Sequence, residues 1–146
     1  MVVSFFGHKD TPSTVKPFLE QTVQRLIEEN EDITFLVGTH GAFDLMAQSV
    51  LKQALKRYPR IICYIVLAYV PVGDSSERYI SPTLVPEGIE SVPKRFAITF
   101  RNNYMVKECD TVICYITHDW GGAWEFVHKA RQKGKNIINL AQYGFC

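Results

Sequence analysis

Two spacings of apolar residues alternate along this chain. Short, nearly unbroken apolar runs fall at 1–6, 33–37, 61–67, 111–116 and 136–140. Runs of that length, closed by Gly7 and Gly38 in the first two cases, predict strands buried on both faces. Between them the spacing changes to the helical period. Val15, Phe18, Leu19, Val23, Leu26 and Ile27 form one stripe, with Thr14 placed to cap the helix and Pro17 in its first turn. Phe43, Met46, Ala47, Val50, Leu51, Ala54 and Leu55 form a clearer one, stopped by Pro59. A third helix is expected over about 95–107, against the preference of Asn102 and Asn103, and a fourth from Gly121-Gly122 to about Lys133, ended by Gly134.

Strand and helix thus alternate five times, which predicts an α/β fold. The expected form is a Rossmann-like three-layer sandwich, with a mostly parallel five-stranded sheet covered by helices on both faces. The stretch 70–93 breaks the pattern with Pro71, Pro82, Pro86 and Pro93. A connection of this length commonly makes a functional loop or lid, and Tyr79 is a residue it can contribute to a pocket. With no internal repeat and no linker, residues 1–146 read as one domain, long enough to bury a core.

Charge changes the picture little. The formal net charge of +1 gives no general pull toward polyanions, so it argues against nucleic acid and membrane as partners. The longest apolar run, 61–70, is half a membrane span, and the N-terminus turns polar too soon for a signal peptide. Cys63, Cys109, Cys114 and Cys146 have neither CxxC spacing nor a histidine cluster, so no metal site is expected. Reduced, packed thiols suit a cytoplasmic protein.

Chemistry is expected where ligands of open α/β sheets bind, at the carboxyl ends of the strands. The loops after the first, second and fourth predicted strands all carry glycine, at Gly7, at Gly38 and Gly41, and at Gly121 and Gly122. Such loops admit a ligand to the backbone, and the following helix offers free N–H groups to an anion. Plain turn geometry also explains any one of them; three aimed at one edge favour a ligand. The candidate ligand-binding residues are Gly7, His8, Lys9, Gly38, Thr39, His40, Gly41, Asp44, Arg101, Gly121, Gly122 and Ala123. Arg101 can fork onto a phosphate or carboxylate, or be a solvated arginine. Glu125 and His128 can act as acid or base, or simply complement the helix. Trp120 and Trp124 flank the paired glycines and can stack on a base or pack in the core.

The runs FFGHKD at 5–10, FLVGTHGAFDLMA at 35–47, IVLAYVP at 65–71, PKRFAITFRNNYMVKECDTVICYI at 93–116, GGAWEF at 121–126 and KGKNIINL at 133–140 carry a resemblance. In order and spacing the chain resembles the SLOG superfamily, which joins the DprA/Smf proteins with the LOG enzymes, and within it the YpsA-like (DUF1273) branch. The resemblance implies a Rossmann-like domain for a nucleotide or nucleotide-derived ligand, such as a nucleoside phosphate, an ADP-ribose relative or a dinucleotide. It also suggests a homodimer, which apolar residues near Tyr104 can serve. No cofactor is implied.

LOG enzymes are phosphoribohydrolases that cut an N-glycosidic bond. The stretch 38–47 resembles their glycine-rich motif, Arg101 falls at their arginine, and Gly121-Gly122 at their paired glycines. Trp120 stands where they have proline, and Trp124-Glu125 replaces their Gly-Thr. Counted from Gly121, their glutamate falls at His128. The reading is therefore a binding or sensing module. The alternative is a LOG-like hydrolase with Glu125 and Arg101 as catalytic residues, and the lower alternative a DprA-like DNA-associated or protein-interaction role.

Overall fold

The computed structural model describes residues 1–69 and 82–144, with the side chains of 143 and 144 excepted. The elements are β1 (Val2–Gly7), α1 (Lys16–Glu29), β2 (Thr34–Val37), α2 (Gly41–Arg57), β3 (Ile62–Val66), β4 (Thr83–Leu84), α3 (Ala97–Glu108), β5 (Thr111–Tyr115), α4 (Gly122–Gln132), β6 (Asn136–Asn139) and α5 (Ala141–Gly144). The strands form one parallel sheet in the order β4-β3-β2-β1-β5-β6. The fold is therefore α/β and Rossmann-like, as expected, but the sheet has six strands, not five.

The sixth strand, β4, lies in the proline-rich stretch. It pairs with β3 at the sheet edge, where Ile65 N–H donates to the Pro82 carbonyl and Leu67 N–H to that of Leu84. Two residues are too few to show a period, and proline is tolerated in sheets mainly at an edge. Residues 70–81, including Tyr79, lie outside the described residues, so the expected lid is described only from Pro82 onward. There Ile89 packs into a small cluster with Ala68 and Ala97.

The helical stripes sort onto opposite faces. Leu19, Val23 and Ile27 of α1 and Phe43, Ala47 and Leu51 of α2 bury against Val3, Phe5, Phe35 and Ile65. Met105 and Val106 of α3 and Phe126, Val127 and Ala130 of α4 bury against Phe6, Leu36, Val112 and Cys114. Adjacent strand residues thus feed different layers, and a one-residue slip would invert both faces. Truncating one fully buried member such as Phe43 costs roughly 3–5 kcal/mol by the usual cavity penalty.

Two local expectations are corrected. Thr14 does not cap α1: it sits inside a 3-10 turn, Ser13–Val15, which runs into the helix with no side-chain cap. Phe18, placed in the apolar stripe, is exposed. At its other end α1 is closed by Arg60, which donates to the carbonyls of Ile27, Asn30 and Glu31.

From β1 the chain builds outward through β2 and β3 to β4, then returns to add β5 and β6 on the other side. Strand order therefore reverses between β1 and β5. Loops leaving those two strands must part there, and they open a crevice at the carboxyl edge.

Candidate functional site

A cavity of about 590 Å³ occupies that crevice, within the usual range for small-molecule sites. Its wall includes every candidate ligand-binding residue except Thr39. Phe5, Phe6, Asp10, Asn102, Met105, His118 and Trp120 complete it. The helices α2 and α4 both begin at this edge, so two helix N-termini point their positive dipole ends at one opening, although at α2 the Ala42 N–H is already taken by the Lys9 carbonyl at 2.8 Å.

Arg101 is the central side chain. It is 1% exposed yet lines the cavity. Nε donates to Asn102 Oδ1 at 2.7 Å, and Nη1 donates to the Val66 carbonyl at 3.1 Å and Thr39 Oγ1 at 3.4 Å. Nη2 lies 3.4 Å from His40 Nδ1. Arginine only donates, so that imidazole nitrogen accepts, and His40 is neutral in this contact. These bonds leave one Nη2 N–H without a partner among the described residues. Thr39, absent from the wall, acts behind Arg101 by accepting from it. Burial depresses the Arg101 pKa, with Asp44 and Tyr69 pulling it back up.

Asp44 shares this environment. It lies in the first turn of α2 and accepts from the His40 N–H at 3.0 Å. Burial raises its pKa from 3.8 to about 6, against the opposing pull of that N–H and of Arg101. The cavity therefore holds a carboxyl group that changes charge near neutral pH. Burial likewise depresses His40, and Arg101 adds to the effect.

The loop after β1 and the loop after β5 lock together through His8. His8 Nε2 accepts from the Thr117 N–H at 3.0 Å, so its proton sits on Nδ1. The ring stacks on His118 at 3.9 Å and 15°, and His118 stacks on Trp120 at 3.9 Å and 18°. Beneath them Tyr115 meets His8 edge-on at 6.3 Å. His118 Nδ1 is 3.0 Å from the Trp120 carbonyl, and since a carbonyl only accepts, that nitrogen carries the proton. Behind the loop, Asn139 Oδ1 accepts from the N–H groups of Ile116 and Ala141, and its Nδ2 donates to the Ile116 carbonyl at 3.0 Å.

The glycines turn out to serve different ends. A Cβ at Gly7 would collide with the Phe43 ring, and one at Gly38 would lie 2.7 Å from Asp44 Oδ2 and 3.0 Å from Arg101 Nη1. These two make room for the protein's own side chains. At Gly121 (φ +93°) and Gly122 an added Cβ would meet nothing within 4 Å. At Gly41 (φ +89°) a Cβ would lie 2.7 Å from Lys9 Cα, so of the three candidate loops the one before α4 is the one whose glycines face open space.

Glu125 is exposed and is not part of the cavity wall. Trp124 stacks on His128 at 4.8 Å, on the helix beyond the paired glycines. Sequence reading missed His118, Asp10 and Asn102. His118 becomes visible only once β1 is known to pair with β5, with Gly7 opposite Tyr115. Among the described residues, no group of three or more His, Cys, Asp or Glu side chains is arranged to hold a metal.

No protein-family model matches the chain, and no curated protein matches it. Solved structures do. The DNA processing protein A (DprA) of Streptococcus pneumoniae superposes with a TM-score of 0.68 at 20% identity, covering 92% of this chain and 48% of its own. The DprA of Helicobacter pylori gives a TM-score of 0.66 at 13% identity, covering 94% of this chain and 63% of its own. The fold is that of DprA. This chain spans about half of one DprA structure and under two thirds of the other.

The likeness agrees with the SLOG resemblance at the level of fold and does not address the YpsA-like branch. The Helicobacter pylori structure is described as revealing a single-stranded DNA binding mode. That corrects the expectation that nucleic acid is a poor partner for such a chain. A small net charge is a weak guide, because binding depends on local N–H groups and cations as well as on the total. No described helix is long and apolar enough to cross a membrane.

Proposed function

We propose that the cavity at the β1/β5 crevice binds a nucleotide unit through its phosphate. One observation carries this reading: a buried arginine, with an Nη2 N–H that has no partner among the described residues, lines a cavity at which two helices begin. A buried guanidinium is costly unless an anion or a dense set of acceptors stabilises it. Helix N-termini add favourable potential for the same anion, and Gly122 leaves space for it to approach. The cavity volume accommodates a nucleoside phosphate, an ADP-ribose relative or part of a dinucleotide. On the sequence runs given above, we also assign the chain to the SLOG superfamily and to its YpsA-like branch.

The DprA likeness favours a second reading, in which the nucleotide unit belongs to single-stranded DNA. Both readings use the same phosphate contacts and differ in what continues beyond them. The hydrolase reading has less support, because Glu125 lies outside the cavity wall, where the carboxyl groups are those of Asp10 and Asp44.

Competition separates the readings. A fluorescent single-stranded oligothymidylate is titrated with the protein, and nucleoside 5′-monophosphates are then added. If the cavity takes free nucleotides, millimolar monophosphate raises the melting temperature and displaces any bound oligomer. If DNA is the ligand, the oligomer binds with a salt-dependent affinity and monophosphate competes only weakly. Failure of both to bind refutes the proposal. Chromatography of the same mixtures reports free base, and none is expected.

A further inference from the structure

The ring column at the cavity's mouth is left unused by the phosphate reading above. We propose that Trp120 is the base-stacking platform of the site: a nucleobase lies against the indole while the phosphate of the same nucleotide reaches Arg101 and the N-terminus of α4. This inference rests on the nucleotide reading above and adds which residue recognises the base.

Trp120 is 66% exposed, an unusual place for a large apolar ring unless it meets a partner. It is nevertheless not loose. One side of the indole rests on His118, which rests on the buried His8, which meets Tyr115 at the end of β5. Two hydrogen bonds fix the loop that carries it, Thr117 N–H to His8 Nε2 and His118 Nδ1–H to the Trp120 carbonyl. A ring held in position from below loses little freedom when a ligand covers it from above, which is the condition for strong stacking. His8, His118 and Trp120 all belong to the cavity wall, so the column runs from the cavity to solvent.

Position supplies the second half of the argument. Trp120 immediately precedes Gly121 and Gly122, whose backbone faces open space at the start of α4. Phosphate site and indole are therefore neighbours in sequence on one short, braced loop. Every nucleobase has a π-face, so the platform discriminates nucleotides from phosphosugars more than one base from another.

Paired ligands that differ only in the base test this. Wild type, Trp120→Ala and Trp120→Phe are titrated with adenosine 5′-monophosphate and with ribose 5-phosphate by calorimetry. A short oligothymidylate and the abasic oligomer of the same length give the same comparison for a polymer. Stacking on one aromatic ring is worth roughly 5- to 150-fold in affinity, so wild type should prefer each base-bearing ligand by a factor of that order. Trp120→Ala should reduce that preference to near unity while leaving ribose 5-phosphate or abasic binding unchanged, and Trp120→Phe should restore most of it. Equal binding of both members of a pair by wild type, or a preference that survives Trp120→Ala, overturns the platform and leaves the phosphate site standing. No binding of any of the four ligands by wild type overturns both.

Discussion

At the scale of single residues, the cavity concentrates groups that are expensive to bury. Asp44 and Arg101 flank Gly38 so closely that a methyl group there would crowd both. Burial holds the Asp44 carboxyl at about 6, against 3.8 in an unfolded chain. A group whose pKa rises on folding contributes stability that is present below its unfolded pKa and lost as pH rises through the folded one. Wild type should therefore lose roughly 2.4 kcal/mol relative to Asp44→Asn between pH 4 and pH 7, in the direction that favours the variant. Chemical denaturation of the two proteins at matched pH values measures this difference. A gap that does not change with pH would show that Asp44 is solvated or permanently paired. That Gly38, Asp44 and Arg101 meet was legible from the sequence, since all three line one cavity as expected of loops at one sheet edge. Their division of labour was not, because whether a glycine makes room for Phe43, for Arg101 or for a ligand depends on packing across the sheet edge.

At the scale of elements, the loops after β1 and β5 behave as one unit. Their link is an imidazole that must be neutral to accept from the Thr117 N–H. Burial depresses the His8 pKa below its ordinary 6.5, the neighbouring His118 adds to this, and Asp10 opposes it. Tyr115 meets the imidazole in a T-shaped contact. The sign is opposite to that of Asp44. His8 contributes stability that is present above 6.5 and lost as pH falls through its depressed folded value, because the unfolded chain takes the proton first. In His8→Gln the amide oxygen can still accept from Thr117 without titrating. Relative to that variant, wild type should lose stability as pH drops from 7 toward 5, while Asp44 and His40 cancel from the comparison. Parallel stability curves for the two proteins would contradict the assigned role. The elements themselves followed the apolar spacing closely, since long stripes such as those of α2 and the continuous strands leave little ambiguity. The element that escaped was β4, two residues among prolines at an edge, where pairing with β3 rather than any pattern of its own makes the strand. Thr14 shows the converse: a good capping residue is bypassed when a 3-10 turn extends the helix backward.

At the scale of the whole molecule, strand order determines where chemistry can occur. Chain reversal between β1 and β5 parts their loops, and α2 and α4 both start at the same opening. Sequence alone predicted the carboxyl edge but could not choose a crevice along it, because strand order is a long-range property. It also misled about partners, since a net charge of +1 averages over the whole surface and says nothing of any local patch. The fold is shared with DprA, and in this chain the crevice is lined by a braced indole and a buried arginine.

The central claim is that a nucleotide phosphate enters the open space over Gly122. Gly122→Val tests it most directly, because an added Cβ there meets no protein atom within 4 Å and the substitution should leave the fold intact. Calorimetric titration of wild type and variant with adenosine 5′-monophosphate, alongside thermal melts, should show binding by wild type, at least about tenfold weaker binding by the variant, a loss of roughly 1.4 kcal/mol, and similar melting temperatures. Equal affinity in the two proteins, with both folded, would contradict the account.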